Sequence, residues 1–527
     1  MTNRRRYPVG NPNFKEIREQ GFLYVDKTAH VYRMTHADYK YVFLSRPRRF
    51  GKSLLASTLQ YYLEGRRALF HGLAIEALER EWTGYPVLHF DLSGGHRLDK
   101  DALRRMLLNE VEANERRMGI TGTATDVSAR LANLIRQTYQ LKGQQVVVLI
   151  DEYDAPMLDM VHDEAHFAGL RDVMVDFYSP LKPANSYLRF CFLTGITKFS
   201  QLSIFSALNN IKDISMMPEY AAVCGITREE LCTQMLHDVE YLATRMGLTP
   251  EETLSRLLEH YDGYHFSWPS ADILNPYSLM NAMSDGGIQS YWFESGTPTF
   301  LIEVLRKLKV KPMEIGPITR AKEDFDRPAE RLTDDFAPLM YQSGYLTIKD
   351  MSAFSRMYTL DLPNKEVRIG LYNSLLPEYV KQPVTVRNMV GEMAEKIHCG
   401  DMDGALRQMQ TVFGTLPYCT RARSEGHFQQ LLALVFTLLG GFVDVEVRTP
   451  NGRVDIVLRT STQLYLIELK MNRSAKAALE QIDLKSYPER FALCGLPLVK
   501  VGINFDKGKK NITEWTISPM APQVADQ

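Results

Sequence analysis

The sequence predicts an α/β protein with an α/β domain at each end and a mostly helical region between them. Residues 41–195 alternate β-branched apolar runs with amphipathic stretches, a pattern typical of a mainly parallel sheet covered by helices. From residue 216 the apolar positions follow helical spacing and are interrupted by aromatic-rich turns. From residue 396, helices precede short apolar strands, another helix and a last strand. These changes of pattern predict three domains, at 1–215, 216–395 and 396–527.

Composition excludes several classes of protein. A chain of 527 residues, 45% of them hydrophobic, is too long for one core. Its 62 Lys and Arg residues balance 63 Asp and Glu residues, so any basic surface must be local. The six cysteines form no CxxC pair, which argues against zinc knuckles and disulfides and favours a reducing compartment. Because the sequence has no apolar signal segment and no run of about 18 apolar residues, we expect a cytoplasmic protein outside the membrane.

A phosphate-binding loop is indicated by YVFLSRPRRFGKSLLAST at residues 41–58. Such a loop needs converging backbone N–H groups, a lysine that bridges phosphates and a hydroxyl that binds Mg²⁺. Gly51, Lys52 and Ser53 supply these groups between an apolar strand and a helix, although Arg46 stands where the consensus has its first glycine. A chance Gly-Lys-Ser at a helix start is the alternative. The residues of this loop predicted to bind ATP are Arg49, Phe50, Gly51, Lys52, Ser53 and Leu54.

Two carboxylates end the next strongly apolar strand, VVVLIDE. Burying charges there is costly unless they act at the carboxyl edge of the sheet, where ligands bind. We predict that Asp151 holds Mg²⁺, mostly through water, and that Glu152 is the general base for the attacking water. Helix capping is the alternative for both residues. Thr194 ends the following strand, where its hydroxyl either senses the γ-phosphate and orients that water or is satisfied by a turn.

Several longer motifs occur in a fixed order over nearly the whole chain. They are NFKEIREQGFLYVDKT, RPRRFGKSLLASTL, IDEYDAPM, FLTGITKFSQLSIFSALNNIKDIS, YDGYHFS and NPYSLMNAM. Together they resemble the AAA-ATPase-like family of prokaryotic proteins. The resemblance implies an additional-strand P-loop ATPase (ASCE, AAA-like) followed by a helical or winged-helix region. RPRRFGKS is the usual form of the loop in that family, so Arg46 agrees with its pattern, and the resemblance identifies no substrate.

A second group of charged residues lies near the C-terminus, in NGRVDIVLRTSTQLYLIELK. Two strands joined at TSTQ are predicted to form a β-hairpin in which Glu468 and Lys470 share a face and Asp455 pairs beside them. The two carboxylates and the Leu469 carbonyl suit Mg²⁺ or Mn²⁺. Lys470 can then orient or deprotonate water that attacks a phosphodiester. An exposed hairpin with minor ion pairs is the alternative, but apolar residues on both faces imply burial.

The same segment is similar to the PD-(D/E)XK nuclease superfamily, including its branch with a Q-x5-Y helix. A helix carrying Glu425 precedes the strands, and a helix carrying Gln481 and Tyr487 follows them. By this likeness, the catalytic positions are Glu425, Asp455, Glu468 and Lys470. Gln481 and Tyr487 correspond to substrate-side positions, for which packing on the helix surface is the alternative.

Both groups of residues together predict an ATPase coupled through a helical region to a Mg²⁺-dependent nuclease. ATP binding or hydrolysis would move the connecting region and gate access to the nuclease. The alternative is a nucleotide-dependent switch that binds nucleic acid or a protein partner and has an inactive nuclease fold. The expected partners are ATP and a nucleic acid, DNA with RNA as an alternative, without a membrane. The sequence leaves the oligomeric state open.

Overall fold

The structure is a computed structural model of the 527-residue chain. It describes residues 5–94, 99–158, 164–198, 211–294, 299–327, 335–378, 380, 382–414, 431, 434–440, 444–448, 455–460, 462–484, 496–506, 508–509 and 511–519. Only the backbone is described at 164–165, 294, 299–300, 313, 444–448, 455 and 484.

The chain divides into two compact units. The first consists of Met1–Lys309 and Gly316–Glu366, and the second of Val310–Ile315 and Val367–Gln527. The three domains expected from the sequence, at 1–215, 216–395 and 396–527, stay a prediction.

A five-stranded sheet is the centre of the first unit. Its strands are β1 (Tyr41–Ser45), β2 (Val87–Asp91), β3 (Val146–Asp151), β4 (Leu188–Gly195) and β5 (Ile211–Asp213). They lie in the order β2–β3–β4–β1–β5, and all neighbours are parallel. Every residue of β1 and β3 is buried, as expected where helices cover both faces of a parallel sheet. Because β4 separates β1 from β3, the sheet has the additional strand, and the expected α/β P-loop fold is confirmed.

α-Helices surround this sheet and form much of the first unit. Their bounds are Phe14–Glu19, Thr28–Thr35, Lys52–Leu63, Ala74–Leu78, Lys100–Met118, Val127–Lys142, Ala155–Leu158, Glu164–Tyr178, Arg228–Gln234, Leu236–Met246, Pro250–Tyr261, Pro276–Asp285, Tyr291–Glu294, Thr299–Lys307, Lys322–Phe325 and Ala337–Gln342. Several ends follow from local sequence. Thr227 and Thr249 begin helices with capping boxes. Asp99 caps the helix Lys100–Met118, which Gly119 ends in a left-handed conformation.

Two small antiparallel sheets complete the first unit. Their strands are β6 (Ile226–Thr227), β7 (Ile273–Leu274), β8 (Ile318–Arg320), β9 (Thr347–Met351) and β10 (Tyr358–Asp361). β6 pairs with β7, and the other three lie in the order β8–β10–β9. The helices that follow β6 share one apolar core with Tyr7 and Val25 near the N-terminus. Burial of this shared core joins distant parts of the sequence into one unit.

A mixed five-stranded sheet forms the centre of the second unit. Its strands are β11 (Asp444–Arg448), β12 (Asp455–Arg459), β13 (Leu464–Met471), β14 (Leu498–Asp506) and β15 (Asn511–Pro519). They lie in sequence order, and all neighbours are antiparallel except β13 and β14. The helix Ala475–Leu484 lies between this parallel pair in the chain, as a parallel connection requires. Gly502 permits its close approach to β14, since a Cβ there would lie 2.2 Å from the Ala475 carbonyl oxygen.

The other helices after residue 364 are Lys365–Leu375, Pro383–His398, Met402–Gly414 and residues 434–439. The chain passes from the first unit to the second within the helix Lys365–Leu375. Among the helices that the structure describes, none combines the length and apolar character that a membrane span needs.

Candidate functional site

The phosphate loop connects β1 with the helix Lys52–Leu63. Arg49 and Gly51 take left-handed φ angles of 66° and 93°, which turn the chain sharply before the helix begins. Gly51 occupies the N-cap and offers no side-chain acceptor to the first N–H groups of the helix, which form a favourable anion site. Lys52 is 4% exposed, and its Nζ donates a hydrogen bond to the Pro47 carbonyl at 3.1 Å. The loop therefore has the backbone turn and the lysine that phosphates need.

Arg46 is a buried structural residue at the base of this loop. Its Nη1 donates to the carbonyls of Ser45 and Ser215, both at 2.8 Å, and its Nη2 donates to the Tyr220 carbonyl at 2.9 Å. The guanidinium lies over the Phe266 ring, 4.2 Å from the centroid, and burial lowers its pKa. Arg46 thus occupies the position of the first consensus glycine, and its side chain connects the end of β1 to the Ser215 and Tyr220 carbonyls by hydrogen bonds.

Asp151 lies at the end of β3 and is 3% exposed. Burial raises its pKa to about 6, although a hydrogen bond with the Ser53 side chain and the charge of Lys52 act in the opposite direction. A serine hydroxyl beside a buried carboxylate is a suitable pair of oxygen ligands for Mg²⁺. Glu152 follows with a left-handed φ of 51°.

Thr194 lies in β4, beside Leu44 of β1. Its side chain is fully buried, and its hydroxyl has no hydrogen-bond partner within the described part of the chain. Its backbone carbonyl accepts from the Tyr153 N–H at 3.0 Å. A buried hydroxyl without a partner is costly, so the site has a polar group left for a ligand or water.

A cavity of 410 Å³ lies against the phosphate loop, a volume within the range of small-molecule sites. The predicted residues that line it are Arg49, Gly51, Lys52, Ser53, Leu54 and Glu152. Phe50, Asp151 and Thr194 are not part of its lining. Later segments of the first unit supply further wall residues, among them Tyr277 and Trp292. The structure therefore brings one general-base candidate and most of the loop residues to the same cavity.

Asp154 supports the site in a way that sequence reasoning missed. It is 1% exposed, and it accepts hydrogen bonds from the Ile196 N–H at 3.0 Å, the Thr197 N–H at 2.6 Å and the Thr197 hydroxyl at 2.8 Å. Burial raises the pKa of Asp154. A Cβ on Gly195 would lie 2.4 Å from Asp154 Oδ1, so this approach requires glycine. In the sequence, the only sign of this role was that Asp154 is the second aspartate of the IDEYD motif.

The second group of charged residues lies on β13. Glu468 and Lys470 are 1% and 8% exposed, and Lys470 Nζ donates to Glu468 Oε1 at 2.9 Å. Lys470 also donates to the Oε1 of Gln481, on the helix Ala475–Leu484. Gln481 Nε2 is buried and has no hydrogen-bond partner among the described residues. Hydrogen bonds therefore connect the three predicted site residues, and the Gln481 Nε2 donor has no partner among the described residues.

The predicted hairpin is confirmed, because β12 and β13 pair antiparallel with Asp455 opposite Glu468. Leu469 lies between Glu468 and Lys470 in the same strand. The Asp455 side chain and the whole of Glu425 and Tyr487 lie outside what the structure describes, so their roles stay predictions. Within the described side chains, no three His, Cys, Asp or Glu residues form a metal-binding group.

Two family models match the chain. A model described as predicted AAA-ATPase matches residues 8–205, and a PD-(D/E)XK nuclease superfamily model matches residues 423–515. These ranges contain the phosphate loop and the β12–β13 hairpin respectively.

Similar proteins include one curated relative and one solved structure. An uncharacterized protein in the vnfD 5′ region of Azotobacter chroococcum mcd 1 is 31% identical, and the alignment covers 98% of this chain and 100% of the relative. The Aeropyrum pernix ORC2 protein, solved in ADPNP–ADP complexes, is 11% identical, with a TM-score of 0.25 over 64% of this chain and 87% of that one. Such a low TM-score supports no conclusion about this chain. The family matches and the full-length relative show that the chain belongs to the AAA-ATPase-like family and carries a C-terminal PD-(D/E)XK nuclease superfamily domain.

Proposed function

We propose that the protein binds and hydrolyses ATP at the phosphate loop and cleaves nucleic acid at the β12–β13 hairpin, with the first activity controlling the second. The observation that carries this proposal is the 410 Å³ cavity against the phosphate loop, which Lys52, Ser53 and Glu152 line together. A carboxylate, a lysine and a hydroxyl at the carboxyl edge of a parallel sheet match what phosphoryl transfer needs. ATP and nucleic acid both occur in the cytoplasm, where we place this function.

The ATP site would use residues of the phosphate loop and of the carboxyl ends of β3 and β4. Ser53 and Asp151 would hold Mg²⁺, which neutralises phosphate charge when it is bound. Lys52 would exchange its hydrogen bond with the Pro47 carbonyl for one with the phosphates. Glu152 would take the proton of the attacking water, and the Thr194 hydroxyl, which has no hydrogen-bond partner among the described residues, would orient that water.

The remaining loop residues would bind nucleotide mainly through their backbone. Arg49 and Leu54 line the cavity, whereas the Phe50 side chain is buried against the rings of Tyr264 and Phe266. We therefore assign only the backbone of Phe50 to phosphate binding, because its side chain is engaged elsewhere.

The nuclease site would use oxygen ligands for the metal. Asp455, Glu468 and the Leu469 carbonyl would hold Mg²⁺ or Mn²⁺, whose charge stabilises a phosphodiester under attack. Lys470 would orient or deprotonate the attacking water, with Glu425 completing the catalytic set. Gln481 and Tyr487 would contact the nucleic acid, and the Gln481 Nε2, which has no hydrogen-bond partner among the described residues, supports this for the glutamine. We expect DNA as the substrate, with RNA as the alternative.

Nucleotide binding is expected to depend on pH through Asp151. Its pKa of about 6 lies above the ordinary value of 3.8, so the neutral carboxyl is favoured in acid, and only the ionised form binds a divalent cation. Affinity for Mg·ADP should therefore rise roughly tenfold from about pH 5 to about pH 7.5 in titration calorimetry. Asp151→Asn cannot ionise and is the control. A rise of the same size in that variant would contradict the role of Asp151.

Coupling between the sites is expected to appear as linked affinities. If ATP favours a state that binds nucleic acid differently, nucleic acid must change ATP affinity by the same factor. Glu152→Gln combined with Asp455→Ala should retain ATP and leave nucleic acid uncut. Its affinity for labelled duplex DNA and RNA, measured by fluorescence anisotropy, should differ about fivefold or more with and without ATP, or about 1 kcal/mol.

The matched control for coupling adds Lys52→Ala to the same protein. This variant cannot hold ATP, so the nucleotide-dependent difference should disappear. Equal affinities in the parent double variant, with ATP bound and absent, would contradict the coupling and leave the two sites as separate proposals.

A further inference from the structure

Two carbonyl groups of the phosphate loop accept hydrogen bonds from donors elsewhere in the first unit. A loop that offers its N–H groups to phosphates turns carbonyls away from them, and buried carbonyls need donors of their own. The Arg48 carbonyl accepts from Trp292 Nε1 at 2.9 Å, and the Phe50 carbonyl accepts from the Gly225 N–H at 3.1 Å. Neither donor comes from the loop, so the loop conformation depends on distant residues.

Trp292 also contributes to the packing surface beneath the loop. It lies in the helix Tyr291–Glu294, is 6% exposed, and its ring centroid is 5.2 Å from that of Tyr345. The adjoining Gly344 has a φ of 88°, and a Cβ on it would lie 2.6 Å from Pro47 Cβ. The loop is therefore packed tightly on this side and has little freedom to shift its Arg48 carbonyl.

Glu366 holds Trp292 in turn. This carboxylate is 1% exposed, and its Oε1 accepts from the Trp292 backbone N–H at 2.7 Å. Its Oε2 accepts from the Ser278 hydroxyl, also at 2.7 Å. Ser278 lies in the helix Pro276–Asp285, whose first residues line the ATP cavity. One buried carboxyl group thus connects two walls of the cavity through a hydrogen bond to each.

We propose that Trp292 is a positioning residue for the phosphate loop and that Glu366 fixes Trp292 in place. This inference rests on the proposed ATP site. When Lys52 leaves the Pro47 carbonyl to bind phosphates, the loop loses one internal hydrogen bond, and the indole N–H on the adjacent Arg48 carbonyl keeps the loop in its phosphate-binding shape. The indole N–H should therefore affect the binding of phosphate groups themselves, independently of the base and sugar.

The test compares Trp292→Phe with wild type for Mg·ATP and for inorganic tripolyphosphate with Mg²⁺. Loss of one hydrogen bond to a buried carbonyl should weaken both ligands by about the same factor, roughly fivefold. Trp82→Phe is the matched control, because the Trp82 indole N–H is buried without a partner in the described residues and its ring packs on Phe70. That variant should bind both ligands as wild type does.

The two ligands separate positioning from simple wall contact. If Trp292→Phe weakened ATP but bound tripolyphosphate like wild type, Trp292 would merely touch the nucleoside, and the inference would be wrong. If wild type bound neither ligand, the proposed ATP site itself would be refuted.

A second measurement, NMR of the wild-type protein with isotope-labelled tryptophan, does not depend on whether a variant folds. Tripolyphosphate should shift the indole N–H resonance of Trp292 and leave that of Trp82 in place, and an unmoved Trp292 resonance would overturn the inference.

Discussion

Lys52→Ala is expected to abolish measurable ATP binding, whereas Glu152→Gln is expected to keep ATP bound and slow its hydrolysis about a hundredfold or more. Lys52 is the first residue of the helix that follows the loop, where its amine contacts the Pro47 carbonyl and the residue lines the cavity. Glu152 lines the same cavity without belonging to the loop. Removing the first is therefore expected to remove the proposed phosphate contact, whereas neutralising the second is expected to remove only the proposed proton acceptor.

Calorimetry with Mg·ATP and a phosphate-release assay distinguish these two effects. Lys142→Ala is the matched control. Lys142 is an exposed lysine at the end of the helix Val127–Lys142, far from the loop in the sequence. This variant also loses one lysine and should behave as wild type in both assays. Undiminished ATP affinity in Lys52→Ala would show that the loop is not the nucleotide site. Normal hydrolysis in Glu152→Gln would require a different base.

Local pattern was sufficient for the features that depend on short-range geometry. Residues i and i+2 of a strand share a face, which was enough to put Glu468 beside Lys470. A short turn sets the register of a hairpin, and the structure pairs Asp455 with Glu468 accordingly. The Gly-Lys-Ser signature similarly predicted a loop between a buried strand and a helix.

Contacts between distant segments were beyond the reach of a single sequence. The Arg46 guanidinium binds the Ser215 carbonyl 169 residues later, and the Trp292 indole reaches back 244 residues to Arg48. No spacing rule connects such positions, because tertiary packing alone brings them together. Arg46 could be recognised as compatible with the loop, but its structural role depends on carbonyl acceptors that only the folded chain identifies.

Lys470→Met is expected to reduce Mg²⁺- or Mn²⁺-dependent nicking of plasmid DNA about a hundredfold or more. Methionine preserves most of the length and apolar stem of lysine, so packing on β13 should survive while the amine is lost. That amine is held between Glu468 and Gln481, and it is the group proposed to orient or deprotonate the attacking water. Lys476→Met is the matched control, because this exposed lysine lies on the adjacent helix and loses the same charge.

The outcomes of this experiment discriminate between the two functions that the sequence allows. Asp455→Ala alone should abolish nicking, as Lys470→Met alone should strongly reduce it, because the proposed metal ligand and the proposed water-orienting amine serve one reaction. Full activity in Lys470→Met would contradict the assignment of Lys470, even if Asp455→Ala were inactive. A wild-type protein that cut neither plasmid DNA nor RNA with either metal, while still binding Mg·ATP, would favour the nucleotide-dependent switch with an inactive nuclease fold. Retained nucleic-acid binding in that case would indicate that the domain serves as a binding platform, since loss of cleavage chemistry need not remove the contacts that hold the substrate.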